Sequence, residues 1–219
     1  MKNNEEKALP TKKAPAKKLW HNTNKDKTYR MVLLGVLSAL VIVLQLWGSA
    51  IPFFGGTSLC LVLIPIVVGG LVLGAKAGAF LGLLFGVFVL VWCGVLGYDP
   101  FTAFLFQNKP IMTTLICVGK GLAAGFVPPL VHRALSRKSQ LGSVFAAAAI
   151  APICNTGLFI LGTFTILGTL EAYLAGAVTL GYFFGAIILV NFSVELVINL
   201  IAAPAIYRVA QVITQKKRH

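Results

Sequence analysis

Residues 31–50 read MVLLGVLSALVIVLQLWGSA, a run of twenty without a single Asp, Glu, Lys or Arg. A helix needs about 20 predominantly apolar residues to cross the hydrocarbon core of a bilayer, so this run alone has the length of a transmembrane span. Working outward, the charge-free run continues to Ala75, and two more cover residues 77–98 and 139–170. Hydrophobic residues make up 58% of the 219-residue chain and charged residues only 11%, a balance that a soluble core could not bury. The chain therefore reads as an all-α integral membrane protein, a bundle of six transmembrane helices.

Turn-forming residues divide the apolar runs. The expected spans are 30–48, 59–73 (with Pro65), 77–96, 110–131, 142–167 (with Pro152) and 183–203, the last stopped by Pro204. The first is closed by the Pro- and Gly-containing stretch 51–58, and residues 98–109 are expected as a longer loop. The formal net charge of +13 would suggest nucleic acid on a soluble surface, but here it sits in tails and short loops. Nine cations precede the first span. With the N-terminus inside, cytoplasmic segments hold 17 of the 19 Lys and Arg residues, the outer loops hold Lys109, and Lys120 lies within the fourth span. This positive-inside asymmetry predicts that both termini are cytoplasmic. Residues 1–29 are expected as a disordered basic tail, 30–208 as the membrane domain and 209–219 as a second basic tail.

Gly70, Gly74, Gly78, Gly82 and Gly86 recur at every fourth position, and Gly121 with Gly125 repeats the spacing. Small residues at this interval let helix backbones approach closely. Gly35 and Ala39 do the same on the first span, where the face could instead meet a partner protein. Cys60, Cys93, Cys117 and Cys154 stand alone in apolar runs, without the paired spacing of zinc or redox motifs, and read as packing residues.

Ionisable residues at membrane depth are expensive, at least ~2.5 kcal/mol on insertion scales, and so mark function or a specific pairing. Two lie deep: Lys120 in the fourth span and Glu195 in the sixth. At 1.5 Å per residue, Lys120 is about 15 Å and Glu195 about 18 Å below the outer ends of their helices, so they are level. Asn191, Glu195 and Asn199 share a helix face, and Asn155 lies at similar depth. Two readings are open. The pair could merely lock the bundle, or these groups could form the polar floor of an outward-facing solute pocket. The loop 98–109 would roof such a pocket with Phe101, Phe104, Phe106, Gln107 and Asn108, with Trp92 just below it. The aromatics could equally belong to an interfacial belt.

Enzyme chemistry finds little support. The three His residues fall on the cytoplasmic side, and no intramembrane metal cluster can be assembled. Val118-Gly119-Lys120-Gly121 lacks the flanking Gly and Ser/Thr of a phosphate loop. No cofactor or metal is expected.

The segment 64–82, IPIVVGGLVLGAKAGAFLG, resembles the signature of S components of energy-coupling factor (ECF) transporters. So do Lys120-Gly121-Leu122-Ala123-Ala124-Gly125, Asn155-Thr156-Gly157 and the stretch from Asn191 to Asn199 that leads to Ala203-Pro204. The resemblance runs from about Arg30 to Arg208. It implies a six-helix plasma-membrane protein of bacterial type that captures a vitamin or related micronutrient from outside. It also implies association with a membrane-embedded coupling subunit and two cytoplasmic ATPase subunits, which import the solute by toppling the binding protein. Small residues on the first helix would meet the coupling subunit, which carries over to Gly35 and Ala39, with Gly35 standing where alanine is expected. The solute would lie against helices four to six, near Lys120, Asn155, Asn191 and Glu195. Riboflavin-type members tend to carry an acidic residue near the start of the second helix, and residues 59–62 have none. The competing reading is an autonomous ion-coupled carrier with Lys120 and Glu195 as relay.

Overall fold

A computed structural model of the protein describes residues 16–50, 61–174 and 179–216. Among them the chain is helical with short connections: α1 (Ala16–Ala50), α2 (Leu63–Leu73), α3 (Ala75–Val89), α4 (Pro100–Asn108), α5 (Pro110–Leu135), α6 (Gln140–Phe164), α7 (Leu167–Leu174), α8 (Leu180–Tyr182) and α9 (Leu189–Lys216). Single π-helical segments continue α3 through Leu90–Val95 and lead into α9 through Phe183–Ile188. The chain divides into two units, Met1–Leu33 and Leu34–His219, and the second holds the bundle.

Five stretches among the described residues are long and apolar enough to cross a bilayer: Lys27–Ser49, Ala75–Val95, Pro110–Leu135, Gln140–Phe164 and Leu180–Val212. The chain is thus a multi-pass helical membrane protein. The expected second span is represented by α2, whose 11 residues reach only about 16 Å. The expected turn at 51–58 and the start of that span lie outside the described residues, as does the tail up to residue 15. From Ala16 onward the chain is already helical.

Two expectations are corrected. Residues 98–109 are not a loop, because Asp99 caps a helix with Pro100 at its first position. The Asp99 carboxylate accepts from the backbone N–H of Phe101 (3.3 Å) and Thr102 (3.2 Å), which satisfies the donors that a helix start leaves open. The last helix does not stop at Pro204 but runs through it to Lys216. A proline forfeits one backbone hydrogen bond in a helix, and membrane bundles absorb that loss in the neighbouring turns.

The glycine pattern explains the tightest contact. A Cβ built on Gly82 would strike the carbonyl oxygen of Gly121, one on Gly78 that of Gly125, and one on Gly86 would come within 2.5 Å of the Cys117 oxygen. The reciprocal approaches, Gly121 to the Gly82 oxygen and Gly125 to the Gly78 oxygen, are equally close. The pairs step by four residues in opposite directions, so α3 and α5 are antiparallel and lie backbone against backbone. Gly74 is different. It stands between α2 and α3 with φ of 100°, a conformation L side chains rarely adopt, and it has nothing within 4 Å of a Cβ.

Two apolar clusters hold the bundle. At one end Val67 of α2, Val144, Ala148 and Ala151 of α6, and Ala203 and Ile206 of α9 pack together. At the other, Phe101 and Leu105 of α4 meet Ile116, Ile166, Leu170, Leu174, Phe183 and Ile188. Ser143 Oγ and His132 Nδ1, 2.9 Å apart, stitch the α5–α6 connection. Between the two clusters, in the half of the bundle nearer α4 and α7, the side chains facing inward turn polar.

Candidate functional site

Down the inner face of the last helix the character changes twice: Ile188, just before α9, belongs to the upper apolar cluster, half-buried Asn191 and buried Glu195 and Asn199 follow, and Ala203 and Ile206 join the lower one. The i, i+4 spacing of the three polar residues, read from the sequence, is realised as a ladder. Asn191 Nδ2 donates to Glu195 Oε1 at 3.1 Å, and Asn199 Nδ2 to the Glu195 backbone carbonyl at 2.9 Å. Glu195 is 2% exposed and Asn199 1%, so this ladder lies in an environment where each polar group needs a partner.

Asn191 and Glu195 line a cavity of about 80 Å³ together with Lys120 of α5 and Asn155, Thr156 and Phe159 of α6. Gln45 closes it from α1, Val89 and Cys93 from α3 and its π-helical extension, and Asp99, Phe101 and Thr102 from the start of α4. The depth count made on the sequence thus brings Lys120, Asn155, Asn191 and Glu195 to one chamber. Lys120 Nζ lies 5.3 Å from the centroid of the Phe159 ring and 6.0 Å from that of Phe85, so part of its charge is met by ring faces. Among the described residues, nothing donates to Oδ1 of Asn155, Asn191 or Asn199, all buried. A chamber with an ammonium and undonated amide oxygens is chemically suited to a solute that offers both an anionic group and hydroxyl or amide donors.

The other expected contacts are placed elsewhere. Gln107 and Asn108 are exposed in the last turn of α4, beyond buried Phe101 and Leu105, and Asn108 Nδ2 donates to the Phe104 carbonyl at 2.9 Å. Trp92 is half-buried, stacked at 4.0 Å on Tyr98 and at 5.9 Å beside Phe88, and does not line the cavity. Gly35 and Ala39 are exposed on α1, with nothing within 4 Å of a Cβ on Gly35, while Leu37, Val41 and Gln45 form the buried face.

Other lining residues are not apparent from the sequence, among them Gln45, Asp99 and Thr102. Gln45 is 2% exposed and donates through Nε2 to Ser49 Oγ at 3.2 Å. It was the one amide in the first apolar run, four residues beyond Val41, and that spacing was the available signal. Asp99 and Thr102 belong to the cap of α4, where Thr102 Oγ1 donates to the Asp99 carboxylate. Phe101 then packs on Tyr173 at 5.1 Å, Phe183 at 5.4 Å and Phe159 at 6.0 Å. Burial, aided by the charge of Asp99, pushes the Tyr173 hydroxyl above its ordinary range, so this ring stays neutral at any working pH.

Beside the cavity lies an apolar groove of about 250 Å³ between α6 and α9, lined by Ile153, Gly157, Ile160, Phe184, Leu189 and Phe192. Thr156 and Ile188 line both spaces and form their common wall. Both π-helical segments border the cavity, one through Cys93 and the other through Ile188. Such segments recur at functional sites because they re-aim side chains within a helix. Among the described residues, no group of three His, Cys, Asp or Glu side chains converges as metal ligands would.

The fold and the chamber together define a multi-pass helical membrane protein with an interior cavity lined by charged and amide side chains. No protein-family profile matches the chain. It is similar to the pantothenic acid transporter PanT of Lactococcus lactis subsp. cremoris (strain MG1363), with 28% identity over 193 residues that cover 83% of this chain and 93% of the relative. A relative that is a transporter agrees with a non-enzymatic role.

Proposed function

We propose that this chain is the substrate-capturing S component of an ECF-type importer, and that its solute is pantothenate or a closely similar carboxylate-bearing micronutrient. The observation that carries the reading is the chamber itself. Lys120 faces the same 80 Å³ space as the undonated amide oxygens of Asn155 and Asn191. Pantothenate has a carboxylate at one end, hydroxyls at the other and an amide between. An ammonium serves the first, and amide oxygens serve the donors of the others. The similarity to a pantothenic acid transporter supports the same assignment.

Such a cavity holds only a few waters, each with a liquid share of about 30 Å³, so solute entry requires its walls to part. The site would face the exterior, with both termini cytoplasmic as the distribution of Lys and Arg suggests, in the plasma membrane of a bacterium. The exposed face of α1 at Gly35 and Ala39 would dock the membrane-embedded coupling subunit, which in turn would recruit two cytoplasmic ATPase subunits. No cofactor enters this scheme.

Mass spectrometry of ligand copurifying with the full chain, and calorimetry against a panel of B vitamins, test the assignment. Pantothenate in the extract and a saturable heat for it alone are expected, and their absence would refute it. Gly35→Leu should weaken assembly with the coupling subunit by at least tenfold and leave solute affinity unchanged, because it adds bulk to a close-contact face far from the cavity. Pull-down beside calorimetry reads both, and parallel loss of the two would contradict the division of labour. The ion-coupled alternative predicts uptake into vesicles without any ATPase, abolished by an uncoupler.

A further inference from the structure

The cavity has a charge imbalance that its proposed solute would deepen. It brings together one ammonium, Lys120, and two carboxyl groups, Asp99 and Glu195. A carboxylate solute would make three acidic groups around one cation, beside a Glu195 that is only 2% exposed, where uncompensated negative charge is strongly disfavoured. The two protein carboxyls are unequally placed to relieve it. Asp99 is only half-buried, and it already accepts from two backbone N–H groups at the N-terminus of α4 and from the Thr102 hydroxyl. Glu195 is 2% exposed, and Asn191 Nδ2, which donates to its Oε1, is a neutral amide that serves a protonated carboxyl as well as a carboxylate. On the same helix face, one turn to either side, stand the undonated Oδ1 atoms of Asn191 and Asn199, acceptors that a carboxyl O–H would satisfy.

We infer that Glu195 takes up one proton when a carboxylate solute enters the cavity, so that Lys120 is released to the solute and binding is coupled to pH. The inference rests on the functional reading above. The titratable and charged groups around Glu195 are few. Lys120 comes from α5, Asp99 from the cap of α4 and Cys93 from the extension of α3. Neither α2 nor the segment Phe183–Ile188 contains a titratable residue. The titratable side chain of α6, Cys154, is half-buried and does not line the cavity.

The sign follows from linkage. If the complex holds one more proton than the free protein and free solute, affinity rises as pH falls, by about tenfold per pH unit across the window in which Glu195 is ionised when free and protonated when bound. A simple carboxylic acid stays ionised between about pH 6 and 8, so the change belongs to the protein.

The test is calorimetry of the full chain in detergent with pantothenate, at one pH, in buffers of different ionisation enthalpy. The observed heat should vary linearly with buffer enthalpy, with a slope of about one proton taken up. Glu195→Gln should abolish the slope and flatten the pH dependence of affinity. Binding with no buffer dependence overturns the inference and leaves the functional reading standing, and the wild-type chain alone decides this if the variant does not fold. Loss of the slope in Asp99→Asn, with retention in Glu195→Gln, also overturns it. The absence of any heat overturns both readings.

Discussion

Lys120→Met should weaken pantothenate binding by roughly two orders of magnitude while the helices remain folded. The methionine keeps an unbranched apolar side chain of similar length and deletes the ammonium that lies over the Phe85 and Phe159 rings. Removing one partner from a buried charge pair costs about 2–5 kcal/mol, which is roughly thirty-fold to several thousand-fold in Kd. Thermal unfolding measured beside calorimetry separates this from a structural role. If Lys120 served only to lock Glu195 in place, the variant would lose stability. Replacing both residues with apolar ones would then leave every transport phenotype intact. A Kd unchanged within about threefold would remove Lys120 from the site, since even a modest charged contact exceeds that.

Gly82→Val should prevent the bundle from assembling. A Cβ at this position would meet the Gly121 carbonyl oxygen, a backbone atom with no rotamer to yield. Overpacking costs about 1–3 kcal/mol when side chains can shift, and more when they cannot, so α3 and α5 would have to separate along their whole contact. The matched control is Gly119→Ala, two residues before Gly121 and so on the opposite face of α5, where nothing lies within 4 Å of the new Cβ. It should leave the thermal midpoint unchanged or slightly raised, since alanine is the better helix former. Fluorescence-detected size exclusion after heating compares the two. A Gly82→Val chain as stable as the control would show that the α3–α5 contact is not a principal support of the fold.

Much of the architecture was legible because hydrocarbon length and charge exclusion act on composition directly. The apolar runs around residues 31–50, 77–96 and 142–167 could hardly be anything but spans. The glycine interval pointed to close helix packing, and the structure finds the partner in the second glycine pair, Gly121 and Gly125. What resisted reading was the behaviour of proline and of short helices. Pro204 looked like a stop, yet a helix supported by neighbours continues through it. Residues 98–109 looked like a loop because Gly97, Asp99 and Pro100 open it, although Asp followed by Pro is also the pattern of a capped helix start. That misreading propagated to the site. As a helix, this segment brings Asp99 and Thr102 at its start to the chamber and carries Gln107 and Asn108 to its exposed far end.

For the cavity floor, counting residues down each helix sufficed, because 1.5 Å per residue fixes depth once the ends are known. Depth placed Lys120, Asn155, Asn191 and Glu195 at one level, and the packing of α5, α6 and α9 brought them to the same space. Gln45 was not found because neighbourhood across helices, unlike depth, is not encoded by the position of a residue along its own helix.

The glycine crossing of α3 and α5 also decides which parts of this protein can breathe. Where main chains touch without intervening side chains there is nothing to repack, so these two helices behave as a stiff spine that neither slides nor spreads. Under the proposed function, a solute larger than the present chamber must then be admitted by movement of the walls that rest on side chains: α1 at Gln45, α4 at Phe101, or the seam between α6 and α9 at Thr156 and Ile188. Spin labels across α3 and α5 should accordingly report one fixed distance with and without solute, while a pair spanning α4 and α9 should report two.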